Sequence, residues 1–271
     1  HGGPGGCITK EITNTLRPFS KEGYDIYLYD QIGSGHSDRL DNIAEYTVKR
    51  HIADLEAIVK KMDAPKVILI GQSWGAMLAT SFLVKHPQWI EKIILTGPGP
   101  ILPMKYNLPL QKAPDSLHLI PPIFSNKDGN KKADNMRMKF IRWWASIFEE
   151  KWAEDSEVDD FFTHLNSALN RSTVCDTAFL TEVKGGGGYY AQIMTLKSFQ
   201  EVIDVRTKMK TIQTPMLLMK GQCDNQKWAF TKEYLDLFPN AKLKVIPNAG
   251  HSIATEQQAL YTQTILDFLQ Q

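Results

Sequence analysis

Apolar positions along the 271-residue chain follow two rhythms. Short unbroken runs at 66–71 (KVILIG), 92–97 (KIILTG), 215–221 (PMLLMKG) and 242–247 (KLKVIP) have the length of strands and end at glycine, proline or charge. Residues 24–30 (YDIYLYD) also predict a strand, with a turn, GSGHSD, soon after. Between these runs the spacing changes. Val48, Ile52, Leu55, Val59 and Met62 share one helical face over 47–62, a small-residue helix runs from Ala76 to about Lys85 before Pro87, and a last helix covers 257–270. Unbroken runs suit strands buried on both faces, and their alternation with helices predicts a mostly parallel sheet flanked by helices, an α/β fold.

The rhythm breaks after Gly97. Residues 97–124 are rich in proline and leucine and predict irregular chain, 134–183 predict helices, and the glycine run 185–188 precedes another helical pattern. The expected organisation is a core of 1–97 and 205–271 interrupted by a helical cap, 98–204. Phe140, Trp144, Phe148 and Trp152 fall four apart, a stripe that reads as cap core, part of which could wall a pocket. Gly185–Gly188 reads equally as a cap hinge or as an ordinary loop.

Composition removes several function classes. Thirty-one Lys and Arg against 30 Asp and Glu leave a formal charge of +1, so no nucleic-acid partner is indicated. No apolar run approaches the ~20 residues of a membrane span. The cysteines Cys7, Cys175 and Cys223 form no C-x-x-C and predict no disulfide framework; Cys223 reads as buried packing. The seven histidines show no metal spacing, so neither metal nor cofactor is expected. The expected location is the cytoplasm. The chain opens without an initiator Met and so carries no information on an upstream signal peptide or lipid anchor.

The chemistry concentrates at GQSWG, 71–75, set directly between an apolar strand and a small-residue helix. That context predicts a tight strand-to-helix turn projecting Ser73 as a nucleophile. A serine hydroxyl needs a base, and the base needs a carboxylate to orient it. On this type of sheet the order is serine, acid, histidine. Asp224 follows the 215–221 strand and His251 follows the 242–247 strand, so both lie at the carboxyl edge with Ser73. Asp204 is a rival acid, placed before its strand rather than after it. The oxyanion needs two backbone N–H donors. Trp74 supplies one, and the opening HGGPGG loop supplies the other, with Gly3 first and Gly2 next. His1 is expected to brace that loop, and a strand is expected ahead of it, so the first strands of the sheet are expected to be missing.

HGGPGG, DQIGSGHS, GQSWG, GQCD and AGHS together resemble the proline iminopeptidase branch of the α/β-hydrolase superfamily. The resemblance spans the whole sheet domain. It implies an α/β-hydrolase fold with a helical cap, no cofactor, and release of N-terminal residues, often proline, from short peptides. It assigns Ser73 as nucleophile, Asp224 as acid, His251 as base, and the Gly3 and Trp74 amides as oxyanion donors. The chain departs from the branch at Ile32, and at Gln222 and Cys223, where arginines are common. It also lacks the Trp-Glu pair by which such caps hold a substrate amine, leaving Gly2, Trp144, Glu149, Glu150 and Glu182 as candidate substrate-binding residues. Three readings follow: an aminopeptidase, a carboxylesterase or lipase-like enzyme of small apolar esters, and a noncatalytic ligand-binding α/β-hydrolase. A complete triad with both oxyanion elements argues against the last.

Overall fold

The computed structural model describes residues 1–105 and 112–271; part of the expected irregular stretch, 106–111, lies outside the described residues. Four strands form one parallel sheet in the order β1 (Val67–Gln72), β2 (Ile90–Thr96), β3 (Met216–Gly221), β4 (Ala241–Ile246). The register sets Gly71 beside Leu95, Leu95 beside Leu218, and Leu218 beside Leu243. The helices, in chain order, are α1 (Lys10–Leu16), α2 (Val48–Lys61), α3 (Trp74–Lys85), α4 (Asn126–Ala133), α5 (Met136–Phe148) and α6 (Asp155–Asn170). They continue with α7 (Tyr189–Lys197), α8 (Arg206–Met209), α9 (Trp228–Leu237), α10 (Ile253–Glu256) and α11 (Gln258–Leu269).

The two-residue period of a strand divides the core in two. Ile93, Leu95, Met216 and Leu218 pack with α2 and α3 on one face, while Ile94, Leu217, Met219 and Ile246 pack with α10 and α11 on the other. Every residue of β3 is buried, the apolar Met216–Met219 and also Lys220, whereas β4 sends Lys242 and Lys244 outward and closes the sheet at a charged edge. A third cluster lies between β2 and β3 in sequence. Met138 and Ile141 of α5, Phe161 and Phe162 of α6, and Tyr189 and Tyr190 of α7 pack together and onto Ile43 and Tyr46.

Segment 24–30 belongs to no strand. A cavity is lined both by Tyr24–Tyr29 of this segment and by Val67–Ile70 of β1. A strand exists by pairing as well as by propensity, and these residues have no ladder. The opening leaves Tyr27 61% and Ile70 37% exposed, unusual values for apolar positions beside a sheet.

One expectation about the insertion is corrected. The aromatic stripe is not core: Phe140, Phe148 and Trp152 are 39%, 48% and 50% exposed, and the face of α5 turned inward is Met138, Ile141 and Ala145. The helix stops at Glu149, left-handed at φ 58°, and the chain turns back to set Trp152 edge-on to Phe140 at 5.0 Å. The glycine run is docked rather than free. Gly186 O accepts from Gly35 N at 2.6 Å and Gly188 N donates to Gly5 O at 2.8 Å. A Cβ on Gly188 would stand on the Gly33 carbonyl, so only glycine permits this approach.

Candidate functional site

Ser73 sits at the junction of β1 and α3 with φ 54° and ψ −116°, a strained backbone for a residue with a side chain. Glycines make the turn possible. A Cβ on Gly71 would meet the Gly75 carbonyl oxygen at 2.4 Å, and one on Gly75 would meet His1 O at 2.6 Å. Ser73 N donates to Thr96 O at 2.9 Å, which fixes the turn against the end of β2.

Beyond β3 and β4 the expected partners meet. His251 Nδ1 donates to Asp224 Oδ1 at 2.9 Å, since an ionised carboxylate only accepts. That leaves Nε2 as the acceptor nitrogen, without a hydrogen bond among the described residues. Asp224 is 6% exposed; burial would raise its pKa, but the charge and hydrogen bond of His251, then Lys220 and the Gln226 N–H, bring it down to about 2. Gly97 closes the space beside the pair: a Cβ there would lie 2.7 Å from His251 Nδ1 and 3.3 Å from Asp224 Oδ2. The Thr96–Gly97 corner therefore borders Ser73 on one side and the Asp224–His251 pair on the other. A direct Ser73–His251 hydrogen bond is not among the contacts of the described residues; such bonds often tighten only when substrate binds.

The opening loop lies against this turn. A Cβ on Gly2 would stand 3.3 Å from Ser73 Cβ, and Gly3, at φ 122°, leaves no room for one at all. His1 braces the loop. The Gln31 N–H donates to its Nε2 at 3.0 Å, so the ring proton is on Nδ1 and donates to Gly2 O at 3.0 Å. Gln31 Nε2 donates to His1 O at 3.2 Å, and its Oε1 accepts from Trp74 Nε1 at 2.7 Å. One buried amide thus ties the loop to the first residue of α3, where backbone N–H groups are unpaired by helix geometry. The Trp74 ring stacks on Phe199 with centroids 5.3 Å apart.

Three contributors escaped the sequence reading. Gln31 lay inside a recognised motif without an assigned task. Asp30 accepts from Ile8 N at 2.7 Å and His36 N at 2.9 Å, which joins the loop's exit to the following turn. Glu256 accepts from Gly250 N on one oxygen and from the Cys175 and Asp176 N–H groups on the other, clamping the histidine loop to the insertion. Nothing in the local sequence of these residues marks such long-range contacts.

The remaining candidates are placed elsewhere or otherwise. Glu149 pairs with Lys197 at 2.7 Å and Glu182 with Lys184 at 3.8 Å, while Glu150 is exposed. No hydrogen bond or ion pair among the described residues joins any of the three to the Asp224–His251 pair. Trp144 lies against Phe148 and Trp152, its buried Nε1 without a hydrogen-bond partner among the described residues. Asp204 is half-exposed and pairs with Arg206 at 3.1 Å and Lys105 at 3.7 Å, away from His251. Cys223 is not simple packing: it forms a disulfide with Cys175, linking the acid-bearing turn to the insertion. Among the described residues no group of three or more His, Cys, Asp or Glu could hold a metal, and no helix is long and apolar enough to cross a membrane.

Residues 1–257 match the family model described as alpha/beta hydrolase fold. Curated relatives include the proline iminopeptidase of Heyndrickxia coagulans, 24% identical over 99% of this chain and 88% of its own. Another is the proline iminopeptidase of Saccharolobus solfataricus, 22% identical over 100% of this chain and 83% of its own. Among solved structures, an esterase from Exiguobacterium antarcticum superposes with a TM-score of 0.63 at 18% identity, over 100% of this chain and 90% of that one.

Proposed function

Because the chain belongs to the α/β-hydrolase fold family, we propose that it is a serine hydrolase with Ser73 as nucleophile, His251 as base and Asp224 as the acid that orients it. The observation that carries this reading is the 2.9 Å bond between Asp224 and His251 at the corner that also fixes Ser73. Ser73 Oγ attacks a carbonyl carbon while its proton passes to His251 Nε2. The oxyanion is held by the Trp74 amide and by an amide of the glycine loop, Gly3 first. His251 then protonates the leaving group, and water releases the acyl group by the reverse sequence. Residues 98–204 serve as a cap over the substrate.

The preferred substrate class is a short peptide with a free N-terminal proline or another small residue. The two proline iminopeptidases, similar to this chain over nearly all its length, support it, as does the glycine loop. An ester substrate is the second reading, favoured by one observation: Glu149 and Glu182 already have lysine partners, and a buried ammonium is tolerable only beside unengaged carboxylates.

A fluorophosphonate separates the mechanism from the specificity. It is expected to label Ser73, and Ser73→Ala to remove labelling and lower turnover by ~10⁴-fold with folding intact. Undiminished labelling of the alanine variant counts against the triad. Prolyl anilide is expected to be cleaved at least ~10²-fold better than its N-acetyl form, because acetylation strands the carboxylates that pair with the amine. Equal cleavage of the two, with nitrophenyl esters preferred, supports the esterase.

A further inference from the structure

Lys220 is an unusual residue for its place. It is the fifth residue of β3, in a run otherwise apolar up to Gly221, and it is 2% exposed. Its Nζ has two partners: Asp224 Oδ2 at 3.2 Å and the Gln226 carbonyl oxygen at 2.8 Å. The acid of the triad thus has its two oxygens assigned to different groups. Oδ1 faces His251 Nδ1 and the Gln226 N–H, and Oδ2 faces the ammonium. A buried lysine carries a large desolvation cost unless it is paired and hydrogen-bonded. Here the carboxylate supplies the opposite charge, and the carboxylate and the carbonyl take two of the three ammonium protons.

We propose that Lys220 is a positioning residue of the triad: its ammonium pins Oδ2 of Asp224, so that Oδ1 is presented to His251, and its charge sets the pH at which His251 becomes free to act as base. The inference rests on the triad reading given above.

The charge logic follows from the neighbours. From β3 and its turn the pair meets Lys220 and Asp224; Cys223 between them is in a disulfide and does not titrate. From β2 it meets Gly97, which is uncharged. From the segment after β4 and α10 comes Glu256, one residue removed through Gly250 N and occupied by the backbone of Cys175 and Asp176. Lys220 is therefore the cation that offsets Asp224. With both charges present, the protonated imidazole is stabilised less than by a lone carboxylate. Removing the ammonium therefore moves the acidic limb of activity upward, by about one to two pH units for the loss of a single charge beside the intervening carboxylate. A lysine that only fills space, or that is neutral, has no such effect.

The experiment measures the rate of fluorophosphonate labelling at Ser73 from pH 5 to 9 in the parent, Lys220→Met, Lys220→Gln and Lys220→Arg, with thermal melts on each. The expected result is a limb shifted upward by one to two units in both neutral variants, at least tenfold slower labelling at pH 6, and return toward the parent limb in Lys220→Arg. Lys220→Gln is the second neutral variant because its amide can still donate to the Gln226 carbonyl. A limb that coincides with the parent's in either folded neutral variant overturns the proposal. So does failure of both neutral variants to fold, which makes Lys220 a structural residue. A parent that is not labelled at Ser73 overturns the triad reading itself, whereas a labelled parent with an unmoved limb overturns Lys220's role alone.

Discussion

Gly97→Ala offers a test of the site that leaves every proposed chemical group in place. The added methyl would lie 2.7 Å from His251 Nδ1, 2.9 Å from His251 Cε1 and 3.3 Å from Asp224 Oδ2. Ordinary carbon contacts begin near 3.4 Å, so the ring must retreat by about 0.7 Å, a shift the close-packed interior resists. If Asp224 does not follow, the 2.9 Å bond of Nδ1 stretches to about 3.6 Å, outside hydrogen-bonding range. Asp224 is held back by the Lys220 and Gln226 contacts. Gly97 also has φ +49°, where a side chain adds roughly 1–2 kcal/mol of backbone strain. Misplacement on this scale costs on the order of 10²-fold in rate, and full loss of the orienting bond ~10⁴-fold. The variant is therefore expected to fold, melt a few degrees lower, and label with fluorophosphonate at least 10²-fold more slowly. Gly99→Ala is the control. Its methyl would crowd the Met77 sulfur at 2.6 Å, the far end of a flexible side chain, and labelling should stay near the parent rate. A Gly97→Ala protein that is labelled at the parent rate would refute the assignment of this corner to the active site.

Two further outcomes follow from buried groups. His51 is 1% exposed, and burial, helped by the neighbouring Arg50 charge, lowers its pKa to about 4. The unfolded chain therefore takes up this proton more readily than the native one, so the stability gained is complete above pH ~6.5 and is lost as the pH falls toward 4, by about 3 kcal/mol. Urea melts should show that loss, and His51→Gln should remove most of it; an unchanged slope would count against His51. Gln31→Leu leaves Trp74 Nε1 and His1 O without partners, about 1–3 kcal/mol each, and frees the glycine loop. Labelling should slow at least tenfold with Ser73, Asp224 and His251 untouched, and parent-rate labelling in a stable Gln31→Leu protein would detach the loop from the oxyanion.

The sheet was legible because its inner strands, β2 and β3, are buried on both faces over most of their length and are therefore dominated by apolar runs. Strands expected at 66–71 and 215–221 form at Val67–Gln72 and Met216–Gly221. The helix expected over 47–62 forms at Val48–Lys61, where the Thr47 side chain accepts from Arg50 N and caps it. Segment 24–30 has equal propensity and yet is no strand, since pairing is a property of neighbours that its own residues do not encode. The aromatic stripe misled for a related reason. Four-residue spacing identifies a face, but which face turns inward depended on Met138, Ile141 and Ala145 meeting Tyr189 and Tyr190.

The site divides in the same way, and the division has a physical cause. Ser73, Asp224 and His251 stand at strand ends, where chain order and parallel topology leave them one edge to share. The groups that hold them are of another kind. Gln31, Glu256 and Lys220 are common surface residue types, and each is 6% exposed or less. Each is buried against partners that accept only one chemical sense. Trp74 Nε1 can only donate, so the Gln31 amide has one orientation; Gly250, Cys175 and Asp176 present only N–H groups, so both Glu256 oxygens serve as acceptors; the Gln226 carbonyl and Asp224 only accept, so Lys220 must donate to both. Substituting an isostere of the opposite sense at any of these positions leaves volume unchanged and inverts a hydrogen bond. A catalytic geometry held by such one-way contacts is specified by polarity rather than by apolar pattern, and hydrophobic periodicity has no means of reporting it.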